Sequence, residues 1–322
     1  MAENRVTKAM LEEARTAVTK HAYHTPLVTS RLLSEHTGLQ VWLKAEPFQR
    51  TGSYKFRGPL NKFSKLSDEQ RNRGVVCSSA GNHAQGVALA AQLEGIRAVV
   101  VMAENATPSK IEATKAYGAE VILHGQIWDE ANEMALKLVE EQGLTYIHPF
   151  DDLELISGQG TLGMEIMDDL PDVDVVIAPI GGGGLISGVA SAVKHANPAT
   201  RVIGVESSEG PAMLTSVRAG ELVTLDKVDT IIDGLRVKRV GENNLAIVRE
   251  LVDEIVTVPD ADIFAAMVWV MNHAKIVVEG AAAAPVAALL QGIHGIPAGS
   301  KVVCVLSGGN LDLSQLNGRR WN

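Results

Sequence analysis

The sequence predicts an α/β fold of two open parallel-sheet domains. Three observations lead there. Short, β-rich apolar runs alternate with longer stretches of helical periodicity along most of the chain. Runs such as Val99-Val100-Val101-Met102 and Val173-Asp174-Val175-Val176-Ile177 are apolar almost throughout, as suits strands covered on both faces. The 322 residues are enough for two domains, and 46% apolar with 21% charged is an ordinary globular balance.

Taken in order, a charged helical pattern over 5–20 comes first, then a strand over 41–46 and a helix over 58–66. Strands 74–78, 97–102 and 119–123 alternate closely with helices 82–94, 108–117 and 127–142. Pro108 falls at an early helical position after Thr107, a good N-cap type. Gly118 and Gly143 lie just past helix ends, where glycine tolerates the left-handed turn. A helix over 154–169, a strand over 173–178, a helix over 184–196 and a strand over 201–206 follow. The stretch 207–242 is more polar and weakly periodic. It reads as surface loop, with a ligand-facing segment as the alternative. Helices over 243–252, 260–274 and 280–292 surround a strand at 254–258, and a last strand runs over 301–306. The compact unit 68–152 reads as a small domain, and 1–67 with 153–322 as a larger one.

Composition excludes several functions. A net charge of -9 and the absence of a basic stripe argue against a nucleic-acid surface. No apolar run reaches the ~18 residues of a membrane span, and the charged N-terminus lacks a signal-peptide core. Cys77 and Cys304 end apolar runs and read as buried, inert thiols. A reducing cytoplasm is the expected compartment. A homo-oligomer, dimer or tetramer, is the base-rate expectation.

Four loops carry candidate chemistry. Gly181-Gly182-Gly183-Gly184 follows a strand and opens a helix. Glycines allow close backbone approach, and a helix N-terminus offers unpaired N–H groups, so the pair makes a phosphate seat. A tight turn without ligand is the plain alternative. The spacing also resembles a dinucleotide fingerprint, with Ser187 at its third position and Glu206 where a ribose-binding acid would stand. An NAD-dependent dehydrogenase is therefore a competitor, though it leaves other motifs without a role. Ser78-Ser79-Ala80-Gly81-Asn82-His83 also opens a helix and could hold a carboxylate or simply cap the helix. Ser307-Gly308-Gly309-Asn310 follows the last strand. Lys55, in Gln49-Arg50-Thr51-Gly52-Ser53-Tyr54-Lys55-Phe56-Arg57-Gly58, would by itself read as a surface cation. All four loops follow strands, so all could meet in one crevice beyond the strands' carboxyl ends. A non-catalytic binding module would keep the phosphate loops without needing Lys55.

Ser53-Tyr54-Lys55-Phe56-Arg57-Gly58, Ser79-Ala80-Gly81-Asn82-His83, Gly181-Gly182-Gly183-Gly184-Leu185 and Ser307-Gly308-Gly309-Asn310-Leu311, in that order, resemble fold type II pyridoxal-phosphate enzymes. The similarity runs from about Pro26 to Leu313 and is strongest to the threonine/serine dehydratase and serine racemase branch. Ile156-Ser157-Gly158-Gln159-Gly160-Thr161 and Val278-Glu279-Gly280-Ala281 add to it.

The resemblance implies pyridoxal 5'-phosphate as cofactor, bound as a Schiff base by Lys55. It implies Asn82 beside the cofactor's phenolic oxygen, Gly181, Gly182, Gly183 and Gly184 on its phosphate, and Ser307 at its pyridine nitrogen. Ser79, Asn82 and His83 are implied for the substrate carboxylate. The implied activity is dehydration of L-threonine or L-serine to a 2-oxo acid and ammonia, in a cleft between the two domains. The alternatives within the family are a dehydratase of threo-3-hydroxyaspartate and a serine racemase. Ala80 stands where serine racemases have a serine that protonates the opposite face, which argues against racemisation. Tyr54 stands where the family often has phenylalanine, with packing consequences only. Glu206 matches one acid of the racemase metal site, but Ala212 replaces the expected aspartate, so no metal is expected. The sequence also leaves no room for a regulatory domain after Leu313.

Overall fold

The computed structural model describes residues 5–292 and 295–311, so Leu313 lies outside the described residues. Ten strands form two sheets: β1 (Leu27–Thr29), β2 (Gln40–Ala45), β3 (Val75–Ser78), β4 (Ala98–Met102), β5 (Glu120–Leu123), β6 (Thr145–Tyr146), β7 (Val175–Pro179), β8 (Arg201–Ser207), β9 (Glu254–Val258) and β10 (Lys301–Leu306). The larger sheet has the order β1-β2-β10-β7-β8-β9 and the smaller one β5-β4-β3-β6. Every pairing is parallel except β1 with β2.

The apolar runs are buried on both faces as their composition requires: β4 and β7 are buried along their whole length. Helices cover each side of the larger sheet, and two hydrophobic cores divide alternate residues of its strands. Val175 and Ile177 face one core while Val176 and Ala178 face the other. Cys77 and Cys304 are buried and unpaired, and burial pushes the Cys77 thiol up to about 12.

Two helices that shape the site pack through small residues. Leu153–Asp169 and Gly184–Ala196 cross where Gly160 lies against the Gly188 backbone and Gly163 against Val189 and Ala192. A Cβ at either position would meet backbone or methyl carbon, so the close approach depends on glycine.

A buried ionic cluster ties the Lys55 segment to this frame. Arg57 bonds Glu46 at 2.7 and 2.9 Å and Glu165 at 2.6 and 2.9 Å. Lys44 meets Glu165 at 2.7 Å and the Thr25 carbonyl at 2.6 Å. Every charge here has an opposite partner, which is what permits its burial. The helix Arg57–Ser64 therefore starts from a fixed point, two residues after Lys55.

The stretch 207–242 departs from a plain surface loop. It contains the helix Ala212–Ala219 and a single 3-10 turn at Asp233–Leu235. That helix is short and half-exposed, so its apolar spacing is weak. Glu206, 2% exposed, fixes its start by accepting the N–H groups of Met213 and Leu214, both at 2.8 Å.

Candidate active site

Parallel strands deliver their following loops to one side. β2, β10 and β7 are neighbours, so the loops after them converge. The segment bearing Lys55 is stitched to the Ser307 loop by the Ser53–Gly308 bridge, by Tyr54 N–H to the Ser307 carbonyl at 3.1 Å and by Gly309 N–H to the Gly52 carbonyl at 2.8 Å. Gly52 has φ +71°, and Asn310 presses against the place a Cβ would take. Asn310 donates to the Thr51 carbonyl and to Asn82 Oδ1, both at 2.7 Å. Asn82 in turn donates to Glu279 at 2.7 and 3.0 Å. One chain of hydrogen bonds thus joins three of the four loops to the helix Gly280–Gln291.

These loops bound a cleft lined by Lys55, Asn82, Gly181, Gly182, Gly183, Gly184, Ser307 and Glu279, with Tyr54 and Phe150 among the walls. A second hollow adjoins it through Gly234, Glu279 and Ala281. In its wall, Lys110 pairs with Asp233 at 3.2 Å, linking the helix Pro108–Ala116 to the turn Asp233–Leu235.

Lys55 Nζ donates to the Pro149 carbonyl at 2.7 Å. Burial pushes its amine down from 10.5 to about 8, against the upward pull of the Glu279 carboxylate. The amine stays mostly protonated below pH 8, but its minor neutral fraction, the form a nucleophilic or basic lysine needs, is far larger than that of an ordinary lysine. Burial holds the Glu279 carboxyl above the usual range, with Asn82 relieving part of the effect.

The tetraglycine loop is shaped by close packing. Gly183 has φ +100° and caps the helix Gly184–Ala196. A Cβ on Gly182 would overlap the Phe150 ring, and one on Gly181 the Gly234 carbonyl. From Gly181 to Ile186 the N–H groups have no acceptor among the described residues, whereas Ser187 N–H resumes helical bonding to Gly183. A run of free donors at a helix N-terminus is an anion seat. Ser307 is 2% exposed and its hydroxyl has no hydrogen-bond partner among the described residues.

Residues 18–308 match the family model described as "Pyridoxal-phosphate dependent enzyme". The chain belongs to this family. It is 47% identical over 312 residues to an L-threonine ammonia-lyase of Thermotoga maritima, covering 97% of this chain and 77% of that one. The processed form of threonine deaminase isoform 2 from Solanum lycopersicum superposes with a TM-score of 0.92 at 40% identity, covering 96% of this chain and 90% of the other. Maize serine racemase gives 0.92 at 37% identity, covering 97% and 95%.

Of the residues expected at the site, Lys55, Asn82, Gly181 to Gly184 and Ser307 line the cleft together. Ser79 and His83 stand behind that lining. The Ser79 hydroxyl accepts Gly81 N–H at 3.2 Å. The His83 ring is buried, with Nε2 donating to the Ile147 carbonyl at 3.0 Å, and burial, then the Lys55 charge, pushes it down to about 3. Sequence reasoning gave Glu279 and Phe150 no role at the cleft, whereas the turn Asp233–Leu235 lies in the stretch whose alternative reading is ligand-facing, and Gly234 and Leu235 line the cleft. Glu279 had a signal, as an acid opening an apolar helix. Phe150 had none, because its part is to fill the space left by two glycines across the chain.

Glu206 is neither a ribose-binding acid nor a free ligand, since its carboxylate is committed to the Met213 and Leu214 N–H groups. Among the described residues no group of three His, Cys, Asp or Glu side chains could hold a metal ion. No described helix is long and apolar enough to cross a membrane.

Proposed function

We propose that this protein is a pyridoxal-phosphate-dependent ammonia-lyase that converts L-threonine to 2-oxobutanoate and L-serine to pyruvate, each with release of ammonia. The observation that carries this reading is a lysine of lowered basicity facing a free-donor anion seat across one cleft. The relatives named for threonine deamination narrow the family's many reactions to this one.

The residues present fit the cofactor. The unpaired N–H groups from Gly181 to Ile186 would hold its phosphate, Lys55 its aldehyde carbon, and the uncommitted Ser307 hydroxyl its pyridine nitrogen. When bound, the cofactor supplies a conjugated ring that takes up the electron pair left on the α-carbon. Lys55 Nζ, neutral once its proton has left, accepts the α-proton of the substrate. A serine hydroxyl, unlike a carboxylate, would not hold a proton on the ring nitrogen, so Ser307 would suit elimination of the β-hydroxyl. Asn82 is held by both Glu279 and Asn310, so its amide is fixed in the cleft, where it would meet the cofactor's phenolic oxygen and the substrate carboxylate. Ser79 and His83 would support the carboxylate side from behind the lining, His83 by bracing the start of its helix against the Ile147 carbonyl.

Serine racemisation is the second reading, favoured by the maize structure. Ala80 carries no proton donor for the opposite face, which supports the lyase. The working unit is a small lobe of 68–152 and a larger lobe of 1–67 with 153–322, with the cofactor between them, in a cytoplasmic homo-oligomer, dimer or tetramer, as free buried cysteines and base rates support. A panel of β-hydroxy amino acids, threo-3-hydroxyaspartate included, scored for 2-oxo acid release tests the substrate assignment. L-threonine and L-serine should lead it; a panel led by 3-hydroxyaspartate would overturn the assignment.

A further inference from the structure

Between β6 and the helix Leu153–Asp169 the chain leaves the smaller sheet for the larger one. The few residues of this crossing, 148–152, touch nearly every part of the site. The Pro149 carbonyl accepts Lys55 Nζ at 2.7 Å. The Phe150 ring fills the space over Gly182, its backbone and Cβ lie against Gly184, and its carbonyl accepts Asn244 Nδ2 at 3.0 Å. That amide also holds the Gly182 carbonyl at 3.0 Å. Asp151 accepts the N–H groups of Glu242 and Asn243 at 2.9 and 3.1 Å, at the start of the helix Glu242–Leu251. Asp152 caps the helix Leu153–Asp169 through Leu155 N–H at 3.0 Å and pairs with Lys62 at 2.5 Å.

One side chain closes this turn on itself. His148 Nδ1 meets Phe150 N–H at 3.2 Å and Asp151 N–H at 2.7 Å. Backbone N–H groups only donate, so Nδ1 accepts and the ring proton is on Nε2. The ring is further held edge-on by Phe150, with centroids 4.8 Å apart, and by Tyr146 at 6.1 Å. The groups facing it are Lys55, Asp151, Asp152 and His83; burial first, and the Lys55 charge with it, lower its basicity below the usual histidine range against the two aspartates.

We propose that His148 is a positioning residue for the reaction. Its Nδ1 folds residues 148–151 into a turn that sets the Pro149 carbonyl on Lys55 and the Phe150 ring under the phosphate loop, so the amine and the anion seat keep one spacing. The inference deepens the functional reading above and rests on it for its consequence in turnover. The turn itself is independent of that reading. Without the ring acceptor, two N–H groups lose their partner and the loop opens. Lys55 and Gly182 are then no longer fixed to the same backbone.

The test compares the full-length wild type with His148→Asn and His148→Gln. Asparagine puts a carbonyl oxygen close to the position of Nδ1 and can accept both N–H groups. Glutamine puts its polar atoms at the ε position and leaves Nδ1 unreplaced. Two measurements are made on each protein: amide hydrogen exchange at Phe150 and Asp151, and the affinity for pyridoxal 5'-phosphate. In H148Q, exchange at both amides should rise and cofactor affinity should fall, each by about tenfold for the loss of one to two modest hydrogen bonds. H148N should keep both within about threefold of wild type, since its acceptor survives. Equal losses in the two variants, no loss in H148Q, or the reverse order would each overturn the proposal, the last by placing the function on Nε2. A wild type that takes up no pyridoxal phosphate would refute the functional reading, while the exchange data would still judge His148.

Discussion

Replacing Lys55 by methionine should make the cofactor-free protein more stable, although it removes the residue on which activity depends. Burial holds the Lys55 amine at about 8 instead of 10.5. Below pH 8 the amine is protonated in both folded and unfolded chains, and the folded state bears a cost of up to about 3 kcal/mol. Methionine matches the lysine stem as far as Cε and removes the charged amine. It also leaves the Pro149 carbonyl without its donor, at a cost of about 1 kcal/mol. The net expectation is a gain of about 2 kcal/mol for Lys55→Met near neutral pH. The sign then changes with pH. Because the folded-state value is the lower one, the unfolded wild type binds more protons between about 8 and 10.5, and wild-type stability rises through that window relative to the variant. Above it the methionine protein should be the weaker by about the lost hydrogen bond. Urea unfolding of both cofactor-free proteins, near neutral pH and again above the window, reads the difference directly. A gap that ignores pH, or a variant already weaker near neutrality, would refute the claim that burial lowers this lysine.

Other outcomes follow from the same geometry. Gly182→Ala would drive a methyl into the Phe150 ring, so it should lower stability by about 1–3 kcal/mol and weaken cofactor uptake; a melting curve and a cofactor titration check both. EDTA should leave turnover unchanged, because Glu206 serves the N–H groups of Met213 and Leu214; activity lost to chelator and restored by magnesium or calcium would contradict that role. Ala80→Ser should raise D-serine relative to pyruvate from L-serine, by supplying a donor on the face opposite Lys55; substantial D-serine from the unmodified protein, seen by chiral chromatography, would show that another donor exists.

The sequence was most readable where one periodicity governs a long stretch. The helices at 82–94 and 184–196 and the strand at 301–306 stand where their patterns put them. Short elements carry too few residues to show a period. β1 and β6 are edge strands of three and two residues. The helix Asp68–Arg73 buries none of its residues, so its one signal is the capping box of Ser67 with Gln70. Arg31–Thr37 buries only Leu33. At the site, motif order singled out Lys55, Asn82, the four glycines and Ser307, since each is a local departure from what a plain strand-to-helix turn needs. Phe150, Asn310 and His148 act through partners far along the chain. Their meaning lies in packing and hydrogen bonding that only the fold creates.

The central claim is that Lys55, and no other lysine, carries the cofactor. Lys44 lies buried in an ion cluster, and Lys62 and Lys110 hold carboxylates near the cleft, so each is a real competitor. Loading the protein with pyridoxal 5'-phosphate, reducing it with borohydride and mapping the modified peptide by mass spectrometry decides among them. A pyridoxyl group on Lys55 alone is the expected result. An adduct on another lysine, or none in a protein that deaminates threonine, would contradict it.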